Sequence, residues 1–160
     1  MSKLAGFKVI EIPKFKAVSS GLDTFENIFG ENGFNNWLKE KKIIRNAAPY
    51  EGCDFMCEEG DKAIWIWAVE DWVKETDVSP YELIEFEGGI YVVGVADEND
   101  NEDIGDVYNS LLKWIQDSNV FELDVRPEHG IIFHRVGCGR IEDITGIAQQ
   151  EMFIPIKIKK

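Results

Sequence analysis

The sequence predicts an α+β fold of two related halves, each built from a β-hairpin, one long helix and a closing strand in antiparallel sheets. Three observations carry this prediction: an internal repeat, a helical stretch in each half and an apolar strand that ends each half. One half of about 75 residues covers only part of its own sheet, so we expect the halves to pair. The 160 residues then form a single domain. Its pseudo-two-fold halves, at about 5–72 and 80–160, enclose a central groove.

The repeat relates residues 7–22, FKVIEIPKFKAVSSGL, to residues 81–96, YELIEFEGGIYVVGVA. Apolar and acidic positions of the two segments coincide at an offset of 74 residues. Each segment then turns, at Pro13 in the first copy and at Gly88-Gly89 in the second, and continues as a second apolar arm. Short apolar runs on both sides of a turn are typical of a β-hairpin, so each half is predicted to begin with one.

A helix is predicted after each hairpin. In the second half, apolar residues recur at the spacing of one helix face: Ile104, Val107, Leu111 and Ile115. In the first half, residues 25–38 follow the same spacing roughly, and Gly30 and Gly33 weaken the middle. A Pro-x-x-Gly segment follows each helix, at 49–52 and at 127–130. We expect residues 71–80 to connect the halves and residues 137–150 to form a loop.

The closing strands, 63–70 and 151–158, are apolar on both faces. In the first, Trp65 and Trp67 share one face because side chains alternate along a strand. One face of this strand is expected to pack on the helices. The face with the two Trp residues either packs on the partner half or lines a cavity.

The second closing strand places a carboxylate, Glu151, on the same face as Phe153 and Pro155. A carboxylate buried without a partner is costly and tends to be neutralised by protonation. A ligand cation would remove that cost. The alternative is structural: Glu151 lies at the exposed start of the strand, or pairs with one of three arginines. These are Arg126, Arg135 and Arg140.

The net charge of the chain limits the kinds of molecule that it is expected to bind. The chain carries 30 acidic and 17 basic residues, a net charge of −13. This field opposes direct binding of nucleic acid or of an anionic membrane, and it attracts cationic solutes. No apolar run approaches the roughly 20 residues that span a bilayer. Nor does the N-terminus have a signal-peptide core, so we expect a cytoplasmic protein.

Three cysteines form no disulfide framework, although Cys53-x-x-x-Cys57 and His134-x-x-x-Cys138 have the residue types of zinc ligands. If these segments are strands, residues four apart lie about 13 Å apart, too far for one ion. We therefore predict idle or buried thiols, with no metal and no cofactor. The acidic segment 97–103 resembles a calcium loop in composition only. Asp97 or Asp103 is expected to help cap the second helix.

The order of these features resembles the GyrI-like family, the effector-binding module of some AraC-type and MerR-type transcription regulators. The features are the repeated halves, the Pro-x-x-Gly segments, the stretch 107–115 (VYNSLLKWI) and the C-terminal Glu-Met-Phe-Ile-Pro-Ile. The resemblance implies a groove between the halves, in which Glu151 would face a cationic aromatic ligand. It also implies aromatic wall residues: Phe55, Trp65, Trp67, Tyr91, Tyr108, Phe133 and Phe153. No helix-turn-helix segment precedes Phe7, so a role in transcription is expected to require a partner.

The sequence therefore predicts a domain that binds a small hydrophobic or aromatic cation and acts as a ligand sensor or a sequestering protein. Two alternatives stay open, and the resemblance implies both. One is a protein-interaction module like the gyrase-inhibiting relatives. The other is a hydrolase of reactive small molecules, in which Glu151 would act as acid or base and Tyr91 or Tyr108 as hydrogen-bond donor. No sequence motif of a hydrolytic enzyme is present.

Overall fold

A computed structural model describes residues 6–45, 53–137 and 139–160, and in them the chain is α+β. The strands in these ranges are β1 (Phe7–Ile12), β2 (Phe15–Ser19), β3 (Asp23–Thr24), β4 (Asp54–Glu59), β5 (Lys62–Ala68), β6 (Glu82–Phe86), β7 (Gly89–Asp97), β8 (Phe121–Leu123), β9 (Ile132–Arg135) and β10 (Gln149–Ile158). The helices are α1 (Phe25–Phe29), α2 (Phe34–Glu40), α3 (Glu75–Val78), α4 (Asn101–Asp117) and α5 (Gly139–Thr145).

The described residues divide into two compact units. The first unit contains the residues up to Pro13 and those from Gly88 onward, and the second contains those of Lys14–Glu87. These units are not successive halves of the sequence, because β1 pairs with β7 and β6 pairs with β2. Each predicted hairpin thus gives one arm to each unit. The pseudo-two-fold relation between the halves stays a prediction.

In the first unit, the strands pair antiparallel in the order β1-β7-β10-β9, and β8 pairs with the end of β10. The predicted helix is confirmed as α4, whose buried residues include Val107, Leu111 and Ile115. They pack on alternate residues of β7 and β10: Val92, Ala96, Met152, Ile154 and Ile156. The helix thus covers one face of this sheet, and Glu151 belongs to the other.

The acidic segment before α4 is organised by its own hydrogen bonds. Asp100 is the N-cap, because its side chain accepts from the backbone amides of Glu102 and Asp103. The predicted cap at Asp97 or Asp103 is wrong. Asp103 Oδ2 instead accepts from the amide of Asp97 at 2.8 Å, and Asp97 Oδ1 accepts from the amide of Ala148 at 3.1 Å. These bonds satisfy backbone donors and tie the start of α4 to the residues before β10.

In the second unit, the strands pair antiparallel in the order β4-β5-β2-β6, with β3 beside β5. The prediction of one long helix is wrong for this half, which has the two short helices α1 and α2. The helix is interrupted at Gly30–Gly33, where the amide of Gly33 donates to the carbonyl oxygen of Gly30 at 3.0 Å. Phe34 and Leu38 of α2 still enter the core of this unit, together with Ile28 of α1.

The sequence also predicts a connector, a loop and two Pro-x-x-Gly segments. The predicted connector contains the short helix α3, and the predicted loop at 137–150 contains α5. The Pro-x-x-Gly segment at 127–130 lies between β8 and β9, whereas the segment at 49–52 lies outside the described residues. None of the helices in the described ranges is long and apolar enough to cross a membrane.

Candidate functional site

The site predicted around Glu151 lies on the sheet face of the first unit that points away from α4. Side chains alternate along β10, so Glu151 and Phe153 point to this face while Met152 packs towards the helix. In register, Glu151 stands between Val95 of β7 and His134 of β9. The face is therefore mainly apolar around one carboxylate and one imidazole.

Glu151 is buried, with 6% of the residue exposed. The alternative that it lies at an exposed strand start is therefore wrong. Its carboxylate pairs with the Lys8 ammonium at 2.9 Å, rather than with one of the three arginines considered from the sequence. Arg126 pairs with Asp124, and Arg135 pairs with Glu98 and Glu142. A buried negative charge in this strand thus has a lysine as its counter-ion.

The Lys8 side chain reaches Glu151 across a neighbouring strand. Lys8 lies on β1 opposite Val93 of β7, and β7 in turn pairs with β10. Adjacent strands are about 4.8 Å apart, so the lysine spans roughly 10 Å between backbones. The exposed fractions of the two side chains are 57% for Lys8 and 9% for Glu151. The ammonium therefore borders water, while the carboxylate lies within the protein.

Tyr91 lies on the same face and is already engaged by a cation of the chain. Its hydroxyl accepts from Arg126 Nη1 at 2.7 Å, and the guanidinium lies 5.0 Å from the ring centroid. Arg126 also donates to the carbonyl oxygen of Gly88 at 2.6 Å and to Asp124 at 2.9 Å. Tyr91 is fully buried and packs edge-on against Phe153. Arg126 thus fixes Tyr91, which in turn supports Phe153 beside Glu151.

Two other predicted wall residues of this unit lie on the opposite side of the sheet. Phe133 is in register with Met152 and packs against the cluster under α4. Tyr108 belongs to α4 itself and is partly exposed. The sheet therefore separates both residues from Glu151, and the structure does not bring them together. Of the predicted aromatic residues in this unit, it brings Phe153 and Tyr91 to the side of the carboxylate.

The other three predicted residues belong to the second unit. Trp65 and Trp67 share a face, as predicted, but this face packs on α1 and α2, whereas the sequence pattern assigned the helices to the opposite face. Trp65 Nε1 donates to Asp54 Oδ2 at 2.9 Å, whereas Trp67 Nε1 is buried without an acceptor in the part of the chain that is described. Phe55 lies on the other face and stacks on Phe86. A ligand contact at these three residues stays a prediction.

The second unit also contains a cleft that the sequence analysis missed. Its volume is about 480 Å³, and the acidic residues among its lining are Asp23, Glu26 and Glu31. Asn27 donates a side-chain hydrogen bond to Asp23, and the Thr24 amide donates a second, which together lower the pKa of that carboxyl. Tyr81 also lines the cleft, and desolvation, aided by the charge of Asp23, raises its pKa. A clue in the sequence was the acidic composition around Gly30 and Gly33.

The described cysteines are poor candidates for nucleophiles or metal ligands. Burial raises the pKa of the Cys57 thiol to about 12, and the charge of Glu59 adds to the effect. Burial also raises the pKa of Cys53. Within the described ranges, no three His, Cys, Asp or Glu side chains are grouped closely enough to hold a metal ion. Cys138 of the considered zinc set lies outside those ranges.

We expect Cys57 to resist thiol reagents in the folded protein. At pH 8 a pKa of about 12 leaves roughly one molecule in ten thousand as thiolate, which is the reactive form. The measurement is reaction with Ellman's reagent in a Cys53→Ser/Cys138→Ser background, with and without guanidinium. Rapid full reaction of the folded protein would contradict the expectation.

Since the Cys57 thiol ionises at lower pH in the unfolded chain than in the folded one, the stability contributed by the neutral thiol should fall as pH rises from about 9 towards 12.

Solved structures share this fold at low sequence identity. The C-terminal domain of EcmrR matches with a TM-score of 0.66 and 12% identity, over 95% of this chain and 97% of that domain. A hydrolase from Listeria innocua matches with a TM-score of 0.64 and 10% identity, over 94% of this chain and 91% of the hydrolase chain. SAV2435 bound to tetraphenylphosphonium matches with a TM-score of 0.56 and 13% identity, over 96% of this chain and 94% of the SAV2435 chain.

The EcmrR chain is also known in a complex with DNA, and there this chain covers 57% of the longer chain, with a TM-score of 0.65 and 14% identity. No protein-family model and no curated sequence matches this chain. At these identities the likeness shows a shared α+β fold, and it leaves the ligand and the site residues open.

Proposed function

We propose that this chain binds a small hydrophobic cation and that the carboxylate of Glu151 provides the charge recognition. The observation that carries the proposal is the burial of Glu151 on an apolar sheet face, with an exposed lysine as its counter-ion. A buried carboxylate is stabilised by any cation that replaces lost hydration. A hydrophobic cation can do so while its apolar groups contact the partly exposed Val95 beside Glu151.

The likeness to SAV2435 supports this proposal, because that protein of the same fold was solved with tetraphenylphosphonium. The net charge of −13 also favours cationic over anionic solutes. Burial of about 200 Å² of apolar ligand surface would contribute about 5 kcal/mol before ordering costs. A desolvated charge pair adds to this gain, so micromolar affinity is within reach.

The likeness to EcmrR supports a role as a ligand sensor linked to transcription. EcmrR is known both as an isolated C-terminal domain and in a complex with DNA. The acidic charge of this chain opposes direct contact with phosphates. We therefore propose that DNA contact, where this chain acts in transcription, is made by a partner.

The experiment compares two ions of matched shape and opposite charge, tetraphenylphosphonium and tetraphenylborate. Calorimetric titration of the wild-type chain is expected to show saturable binding of the cation, at micromolar affinity, and at least tenfold weaker binding of the anion. The tetraphenyl shape is held constant, so the ratio isolates charge recognition. Equal affinity for both ions, or no binding of the cation, would refute the proposal.

Hydrolysis is a second candidate because the fold is shared with a hydrolase and because His134 stands directly opposite Glu151. A histidine beside a carboxylate is a common general-base arrangement. Turnover of p-nitrophenyl acetate that exceeds the buffer rate and falls in both His134→Gln and Glu151→Gln would support this function. Turnover that is unchanged in both variants would reject these residues as the catalytic pair.

A further inference from the structure

We infer that Lys8 is a built-in competitor for the ligand cation: its ammonium occupies the Glu151 carboxylate and leaves it when a cation binds. This inference rests on the proposed function and concerns the regulation of the same site. It begins from the ion pair between Lys8 Nζ and Glu151 Oε2 at 2.9 Å. The Lys8 ammonium and a ligand cation repel each other when both approach this one carboxylate, so the two compete for it.

Lys8 and Arg126 both lie on this face and differ in how firmly they are held. Arg126 donates to three partners, Gly88, Tyr91 and Asp124, and its side chain is 17% exposed. Lys8 pairs with Glu151 across β7, and its side chain is 57% exposed. Withdrawal of Arg126 would leave buried acceptors unsatisfied, whereas the Lys8 ammonium would regain full hydration. Lys8 is therefore the displaceable cation.

The position of Lys8 on β1 allows this displacement without a change of backbone. β1 is the outer strand of the order β1-β7-β10-β9. Its pairing with β7 is made by backbone groups that the lysine side chain does not use. The four-carbon stem of lysine rotates freely, so the ammonium can turn into solvent while the strand stays paired. The competitor is thus mobile and the carboxylate is fixed.

In competition of this kind, the apparent association constant equals the intrinsic one multiplied by the fraction of time for which Lys8 leaves Glu151 available. If Lys8 holds the carboxylate for about four fifths of the time, removing the lysine strengthens cation binding about fivefold. A neutral ligand gains nothing from the removal, because it does not replace the ammonium on Glu151. Lys8 therefore sets the concentration at which a cation is sensed, and it favours ligands that carry their own charge.

The test measures tetraphenylphosphonium binding by calorimetry in Lys8→Met and Lys8→Arg, with Lys157→Met as control. Lys157 is an exposed lysine of β10 that pairs with Glu122 at 3.7 Å. Lys8→Met should bind about fivefold more tightly, equivalent to about 1 kcal/mol, and Lys157→Met within twofold of wild type. Lys8→Arg should bind more weakly, because a guanidinium grips a carboxylate through two hydrogen bonds. In a Glu151→Gln background the gain from Lys8→Met should disappear.

The outcomes separate this inference from the proposed function. If wild type binds the cation and Glu151→Gln does not, while Lys8→Met binds no more tightly than wild type, the role of Lys8 is refuted and the proposed function stands. If none of the variants binds, both are refuted. If circular dichroism shows that Lys8→Met does not fold, the charge-retaining variant Lys8→Arg decides alone. A Lys8→Arg affinity for the cation that equals or exceeds that of wild type then refutes the inference.

Discussion

Replacing Glu151 by glutamine is expected to weaken tetraphenylphosphonium binding by about a hundredfold. The glutamine keeps the shape of the side chain and removes its charge, so the loss reports the electrostatic contribution. A hundredfold change corresponds to about 2.7 kcal/mol, within the usual range for a desolvated charge pair that loses one partner. Glu151 is buried, so bulk water and salt screen its charge far less than that of a surface carboxylate.

The matched control is Glu122→Gln, which removes one negative charge from a partly exposed residue of the same unit. It should change the affinity by less than twofold, because exposed ion pairs contribute little. Glu151→Gln should also weaken binding of a neutral ligand such as triphenylphosphine oxide by much less than binding of the cation. Equal losses for the cation and the neutral ligand would mean that Glu151 shapes the site without recognising charge.

The sequence predicted the strand face of Glu151, but it left the burial of this residue open and did not reveal its partner. Alternation along the last strand predicted that Glu151 and Phe153 share a face, whereas the burial of Glu151 was established by the structure. The counter-ion depends on tertiary pairing. Lys8 reaches Glu151 because β1 pairs with β7 of the other repeat copy, and local periodicity carries no information about such long-range strand pairing.

The two Trp residues show a similar limit. The pattern correctly predicted that Trp65 and Trp67 share one face of a strand. Both faces are apolar, and the expectation that the helices cover the face opposite the two Trp residues is wrong. In the structure α1 and α2 cover the Trp face, so Trp65 and Trp67 belong to the core of their unit. Periodicity identifies the residues that share a face, whereas the covering of that face depends on loop geometry.

At the helical break before Phe34, two glycines outweigh the apolar spacing. Apolar spacing favoured one helix over residues 25–38, and the two glycines within it argued against continuity. The lack of room for a side chain at Gly33 explains why the helix is interrupted there. A Cβ atom there would lie 2.0 Å from the carbonyl oxygen of Asn27 and 2.7 Å from that of Ile28. The chain after α1 folds back onto that helix so closely that only glycine fits.

We therefore expect Gly33→Ala to destabilise the folded chain by about 3 kcal/mol or more, the upper part of the range for overpacking. The backbone of Gly33 is extended, with φ −89° and ψ 177°, so an alanine there adopts its torsion angles without strain. The whole cost then comes from the overlap with backbone atoms, which cannot rotate away as a side chain can. Relief requires α2 to move and so disturbs the buried packing of Phe34 against Trp65.

Gly105→Ala is the matched control, because Gly105 lies within α4 and a Cβ there would meet open space. In a helix interior this change should stabilise the protein by up to about 1 kcal/mol, since alanine loses less backbone entropy on folding. Urea unfolding followed by circular dichroism measures both variants, and the transition midpoints should move in opposite directions. A Gly33→Ala midpoint at or above that of wild type would mean that the turn between α1 and α2 has room for a methyl group. The break in the helix would then have another cause.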